Sequence, residues 1–220
     1  MGTLLNRRRY MGGGVAPPIE CPYITDGLGF WLDGINKGAT DGSWVDLIGG
    51  IDFTNQDAVS NDDHFYFNGS TAVMINTTQN LRALGSSFTV EACFYAEKGG
   101  AIMYSGSSNS MDLPMLKLDQ GLYKQRGLKY SLGSYLNAYS TLSLTDGLGI
   151  RNGVVLSGSG SDFWNNQCFS IGSGYSSNKP RQQFGGKLFS VRVYSRILTQ
   201  AEMLFNQEVD NTRFNLGLTL

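Results

Sequence analysis

Trp164 stands in the polar stretch G-S-G-S-D-F-W-N-N-Q, with Asp162, Asn165 and Asn166 close by. An indole beside short carboxylate and amide side chains is a combination that stacks on a sugar ring and hydrogen-bonds its hydroxyls. These four residues are the candidate carbohydrate site; the competing reading is that Trp164 caps the end of a folded body. A second cluster, Asp57, Asn61, Asp62 and Asp63 in Q-D-A-V-S-N-D-D-H, gathers hard oxygen donors of the kind that hold Ca2+. Its spacing matches no named calcium loop, and a solvated turn accounts for the same residues. Calcium is the one cofactor the chain suggests.

Glycoside hydrolysis by the usual route needs two carboxylates facing each other across the scissile bond. The glutamates are Glu20, Glu91, Glu97, Glu202 and Glu208, and they form no compact cluster along one strand. Glu91 has Cys93 two positions on, and Glu202 reads as a helix cap. The single histidine, His64, removes most histidine-based catalysis and any two-histidine metal site. Cys21, Cys93 and Cys168 form no C-x-x-C pair, and their odd, sparse count fits assembly in a reducing cytoplasm. Cys93 and Cys168 read as small buried hydrophobes. No catalytic residue stands out, so the chain is expected not to be an enzyme.

The N-terminus carries different chemistry. In L-L-N-R-R-R-Y-M-G-G-G, the cations Arg7, Arg8 and Arg9 lie between the apolar residues Leu4, Leu5, Tyr10 and Met11. Forked guanidinium donors with apolar anchors suit docking on a partner protein, a solvated tail being the alternative, and Gly12, Gly13 and Gly14 supply a hinge behind them. The leucines are too few and wrongly placed for a signal peptide. Asn6 stands where a myristoylation signal wants Ser or Thr. Nucleic acid is an improbable partner, since the formal net charge is −1 and three arginines give only salt-sensitive attachment. No apolar run approaches the roughly 18 residues of a membrane span, so no membrane partner is expected.

The elements that must carry these residues are strands. The 220 residues are 12% aromatic and include 29 glycines, which suits short strands and tight turns. Residues 1–22 form an arm in which Pro17, Pro18 and Pro22 disfavour helix; residues 23–220 form one body. In S-S-F-T-V-E-A-C-F-Y-A-E, Phe88, Val90, Ala92 and Phe94 share one face and Thr89, Glu91, Cys93 and Tyr95 the other. Asn68-Gly69 and Asn152-Gly153 each predict a tight hairpin, and a strand pair is expected around Gly49-Gly50. Trp31 and Trp44 read as core. Thr199 with Glu202 makes a capping box and Leu198 with Met203 a hydrophobic staple, predicting one or two turns of helix. The whole is an all-β antiparallel sandwich with one short C-terminal helix and an extended N-terminal arm.

The closing segment F-G-G-K-L-F-S-V-R-V-Y-S-R-I-L-T-Q-A-E resembles the end of the concanavalin A-like lectin/glucanase superfamily, particularly its laminin-G-like jelly-roll domains. The matching residues are Phe184, Gly186, Leu188, Val191, Arg192, Val193, Tyr194, Arg196, Leu198, Thr199 and Glu202, followed by Arg213-Phe214. The resemblance covers roughly residues 25–214 and implies a jelly roll; glycanases of that superfamily carry an E-x-D-x-x-E strand, which is missing. The leader R-R-R-Y-M-G-G resembles those of proteins from phages and prophages of gut Bacteroides-type bacteria. That likeness implies a virion protein (fibre, tail or capsid surface) made in the host cytoplasm. It would dock on other virion proteins through the arm, assemble as a homo-oligomer, by expectation a trimer, and display a lectin-like body toward surface or mucus glycans. The alternatives are a free bacterial lectin and, behind it, a glycoside hydrolase.

Overall fold

The computed structural model describes Leu4–Leu5 and residues 19–38, 42–76, 87–104, 114–118, 122–124, 128–145, 147–159, 170–176 and 179–220. Two antiparallel sheets carry the body. The first runs, in spatial order, through Gly158–Ser159, Leu128–Tyr130, Leu122–Lys124, Pro114–Leu118, Ala101–Tyr104, Ser170–Ile171, Val73–Ile75, Asp52–Gln56 and Ser43–Val45. The second runs through Val154–Val155, Gly149–Arg151, Ala138–Leu144, Thr89–Lys98, Gly185–Tyr194, Phe65–Asn68 and Val59–Ser60. Leu28–Asp33 also pairs with Gly185–Tyr194, end to end with Phe65–Asn68 along the same side.

The core between the sheets follows from the alternation. Phe88, Val90, Ala92 and Phe94 meet Trp44, Phe53, Met74, Ile102 and Leu116 there, all fully buried or nearly so. Trp44 joins that core, its Nε1 donating to the Asp33 carbonyl at 3.0 Å. Trp31 is equally buried but faces the other side of its sheet, edge-on to Tyr23. The pair around Gly49-Gly50 is held by buried Asp46, whose carboxylate accepts from the backbone of Trp31, Ile48 and Gly49. A Cβ on Gly49 would sit 2.6 Å from Asp46 Oδ2.

Asn152 (φ 47°) and Gly153 (φ 76°) close the expected hairpin between Gly149–Arg151 and Val154–Val155. Asn68-Gly69 does not. Phe65–Asn68 belongs to one sheet and Val73–Ile75 to the other, so the turn is a corner between layers. Asn68 Oδ1 caps it, accepting from the backbone N–H groups of Ser70, Thr71 and Ala72. At the N-terminus, Leu4–Leu5 pairs antiparallel with Ile19–Glu20.

A third layer covers the outer face of the second sheet. The helix Gln200–Arg213 starts at the Thr199–Glu202 capping box, with Leu198 and Met203 buried beside it. Arg196, which hydrogen-bonds Glu202, is the main cause holding that carboxyl down at about 2. The helix has 14 residues, about four turns against the one or two expected. Its buried stripe is Met203, Asn206, Gln207 and Asp210, at helical spacing yet mostly polar. The partners lie on the sheet. A bulge after Leu188 places both Phe189 and Ser190 on the outer side, and Arg192 follows two positions on.

Arg192 Nε donates to Glu91 at 2.9 Å, and its two terminal nitrogens grip Asp210 at 2.8 and 2.7 Å. Ser143 and Asn206 also donate to Glu91, at 2.7 and 2.9 Å. Tyr23 donates to Asp210 and lays its ring 3.8 Å from the guanidinium carbon. Burial alone would lower the Arg192 guanidinium, but Asp210 and Glu91 outweigh it and hold the charge firmly.

Removing one member of a buried ion network strands the others without counter-charge. Arg192→Met is therefore expected to cost about 3–5 kcal/mol, read as a lower urea midpoint at unchanged slope. A loss below about 1 kcal/mol would show that the network does not hold the helix layer.

Candidate functional site

A cleft of about 420 Å³ opens where the chain leaves Thr89–Lys98 in one sheet and enters Ala101–Tyr104 in the other. It is lined by Gly99, Gly100, Lys117, Leu118, Leu132, Gly133, Tyr135 and Gln182. Leu118 and Leu132 are buried and form an apolar floor. Tyr135 is half-buried, Lys117 is half-buried and Gln182 is exposed. An aromatic ring in a cleft with two apolar side chains, an amide and an ammonium can take the C–H face of a sugar and bond its hydroxyls.

The crossing requires its two glycines. A Cβ on Gly99 would lie 2.6 Å from the Tyr135 hydroxyl, so the phenol closes over bare backbone. A Cβ on Gly100 would lie 2.3 Å from the carbonyl carbon of Gln183. Backbone bonds fix the rim: Ala101 N–H donates to Gln182 O at 2.7 Å, and Leu118 N–H to Gly100 O at 2.8 Å. Gln182 holds φ 53°, a left-handed conformation uncommon for such a side chain.

Arg151 positions the loop that carries Leu132, Gly133 and Tyr135. Its guanidinium donates to the carbonyls of Leu132 and Ser134 at 2.7 and 2.9 Å, and to Ser140 Oγ at 3.0 Å. Burial lowers its pKa below the usual arginine value.

The candidates read from the sequence fall elsewhere. Trp164, Asp162, Asn165 and Asn166 lie outside the described residues, as do Cys168, Arg7, Arg8, Arg9, Tyr10, Met11 and the hinge Gly12, Gly13 and Gly14. Of the docking residues only Leu4 and Leu5 are described, in their short strand pair. Asp57, Asn61, Asp62 and Asp63 do not converge, and among the described residues no three His, Cys, Asp or Glu side chains gather as a metal site. The turn uses these groups on itself. Asn61 donates to Val59 O, and Asp63 lies 2.6 Å from His64 Nδ1, whose ring packs on Phe189. Cys21 and Cys93 are free and buried, and burial raises both thiols. The cleft itself went unmarked, although the Gly99-Gly100 pair between two strands was its signal. No helix among the described residues is long and apolar enough to cross a membrane.

No family model matches the chain, and no curated protein matches it in sequence. Solved structures do. A Trypanosoma rangeli sialidase in complex with sialic acid shares 18% identity over 84% of this chain and 33% of its own, with a TM-score of 0.61. The same sialidase with difluorosialic acid, as a covalent intermediate, matches 98% of this chain and 37% of its own at 18% identity and TM-score 0.65. The receptor-binding domain of a botulinum neurotoxin C/D mosaic serotype matches 83% of this chain and 51% of its own at 13% identity and TM-score 0.54. The chain spans about a third of the length of those sialidases. These likenesses show the fold, a β-sandwich related to the concanavalin A-like jelly-roll class. They also overturn the expectation that the chain is not an enzyme, since the fold occurs in glycan-cleaving proteins. Sialidases are an exception to the two-carboxylate pattern of glycoside hydrolysis, so the spacing of Glu20, Glu91, Glu97, Glu202 and Glu208 does not decide the matter.

Arg151→Ala removes the anchor of the Tyr135 loop. The expected result is about 1–3 kcal/mol of lost stability and faster amide hydrogen exchange across 131–137. Unchanged exchange there would show that the loop holds its own shape.

Proposed function

We propose that this chain is a glycan-binding β-sandwich module and that its sugar site is the cleft bounded by Tyr135, Lys117 and Gln182. The observation that carries the reading is the Tyr135 hydroxyl seated against the bare backbone of Gly99, in a cleft that Leu118 and Leu132 also line. The fold's likeness to a sialidase solved with sialic acid and to a toxin receptor-binding domain supports it. Ca2+ is not needed by this reading. Trp164 stays a rival platform. On a glycan array, Tyr135→Ala is expected to weaken binding at least tenfold, as loss of one stacked ring and its hydrogen bonds implies, and Trp164→Ala is expected to leave it intact. The reverse result would move the site to the 160–169 loop, and binding of no glycan would end the reading.

In its fuller form the proposal places the module on a phage particle. Residues 1–22 would act as the docking arm and 23–220 as the displayed body, in a homo-oligomer, by expectation a trimer. The mixture of Arg7, Arg8 and Arg9 with Leu4, Leu5, Tyr10 and Met11 supports this, as does the short pairing of Leu4–Leu5 with Ile19–Glu20, which brings the two ends of the leader together. Deleting residues 1–18 should leave a folded body that no longer enters particles. If the shortened chain is still incorporated, docking by the arm is wrong and a free bacterial lectin becomes the better account.

A second reading, glycan cleavage, is favoured by the sialidase likeness. Turnover of a fluorogenic sialoside by the full chain would establish it.

A further inference from the structure

We infer that the outer face of the second sheet carries a further glycan site, a row of tyrosines that takes a linear, neutral sugar chain. The inference goes beyond the cleft and does not depend on it. The third layer stops short of one end of this face. There Tyr66, Lys187, Tyr95 and Tyr139 are direct partners in register across four neighbouring strands. All four are half-buried. Their chain neighbours Phe65, Phe67, Leu188, Phe94 and Ala96 belong to the core between the sheets, so the period of the strands turns the row outward. The contacts agree with the period. Tyr95 and Tyr139 pack on the outer cluster of Cys93, Phe189, Phe214 and Leu216, and Lys187 Nζ lies 5.8 Å from the centre of the Tyr95 ring.

The polar groups of this row select its occupant. Among the described residues, the hydroxyls of Tyr95 and Tyr139 have no hydrogen-bond partner, and Lys187 meets the Tyr95 ring but no carboxylate. Tyr66 donates to Glu97 Oε2 at 2.9 Å, and Glu97 is exposed. A dry protein interface would strand two phenol hydroxyls and an ammonium, and lysine is depleted from such interfaces. A sugar brings hydroxyls that donate to Glu97 and accept from Lys187, while its C–H faces rest on the rings. One cation beside one carboxylate leaves the row without net charge, which suits a neutral chain. Neighbouring strands lie about 4.8 Å apart, so Tyr66 to Tyr139 spans roughly 14 Å, room for several sugars and not for one alone. The Tyr95 and Tyr139 rings stand 5.1 Å apart with their planes tilted by 57°. They form no single plane, so a twisted soluble chain fits them better than a flat crystalline surface.

Calorimetry with the full chain would compare hexasaccharides with disaccharides of the laminari-, cello- and xylo-oligosaccharide series. In at least one series the hexasaccharide is expected to bind about tenfold or more tightly than the disaccharide, as added stacking contacts imply. Tyr95→Ala should weaken that binding about tenfold, and Tyr95→Phe should keep most of it. Lys187→Gln should weaken it severalfold with the thermal midpoint unchanged, so that the loss reports binding and not folding. Tyr135→Ala should leave it intact. Equal affinity for long and short probes, binding of none of them, or a hexasaccharide affinity that survives both Tyr95→Ala and Lys187→Gln would overturn the inference. Loss on Tyr135→Ala with none on Tyr95→Ala would overturn it too, while leaving the cleft standing. A dimer seen by sedimentation and abolished by Tyr95→Ala would overturn it in favour of a second copy on this face.

Discussion

One buried guanidinium organises the outer half of this molecule. Arg192 is 1% exposed and lies between Glu91 and Asp210, themselves 0% and 1% exposed. An arginine in that position is costly to desolvate unless every donor is used and the charge is matched. Glu91 is its direct cross-strand partner, so the sheet register alone brings them together. Asp210 comes from the helix, and the helix must therefore sit at one height and one rotation for the bidentate contact to form. Packing of apolar side chains tolerates small slips of a helix over a sheet; a forked pair of hydrogen bonds does not. The network thus selects one docking position, while the apolar contacts of Leu198, Met203 and Tyr194 at the helix start add burial.

That constraint frees the opposite part of the sandwich. Much of the outer face of the second sheet is closed by the helix, by Phe214 and Leu216 of the C-terminal tail, and by Cys21 and Tyr23 near the N-terminus, so the cavity of about 510 Å³ on that side is lined by the helix residues Phe205, Val209 and Thr212 with Pro22 and Ile35. The cleft opens at the end where the chain crosses from one sheet to the other. Its walls come from strand ends and from one loop, and each is tied down separately: the crossing by its glycines, the far rim by Gln182, the loop by Arg151. A site of this kind loses little entropy on binding, because the order is already present in the free protein. Arg151 and Arg192 play parallel parts in that economy. Each is an arginine of the same sheet that holds an element the sheet's own hydrogen bonds cannot reach, Arg192 from the outer face and Arg151 from the inner one.

Much of the scaffold was legible because it rests on periods and local chemistry. The alternation of Phe88, Val90, Ala92 and Phe94 points straight to the inner core, and Thr199 with Glu202 marks the helix start. The same alternation puts Glu91 on the outer face, yet it cannot say that this face is covered. The helix length was hidden for a related reason. Asn206, Gln207 and Asp210 break the apolar stripe that would have extended the expected one or two turns, and they are buried only because Arg192, Glu91 and Ser143 wait beneath them. Asn68-Gly69 carries the local signature of a hairpin, but local turn chemistry does not record which sheet the next strand joins. The cleft was the least legible part. Its residues come from four separated stretches of chain, and only the Gly99-Gly100 pair bears a mark that a sequence can show.

Burial also changes what the net charge means. Seventeen basic and eighteen acidic side chains give −1, which suggests a surface of no particular sign. Among the described residues, however, Asp33, Asp46, Glu91 and Asp210 are buried, against Arg192 as the one buried cation. Setting these aside leaves sixteen basic against fourteen acidic groups for the rest of the chain. The fold draws these carboxylates inward to hold turns and the helix, and each meets donors that the chain itself supplies: Arg213 and Asn36 at Asp33, backbone N–H groups at Asp46, and Arg192 at Glu91 and Asp210. The sequence total counts every carboxylate alike, although the buried ones are committed to the fold's own donors.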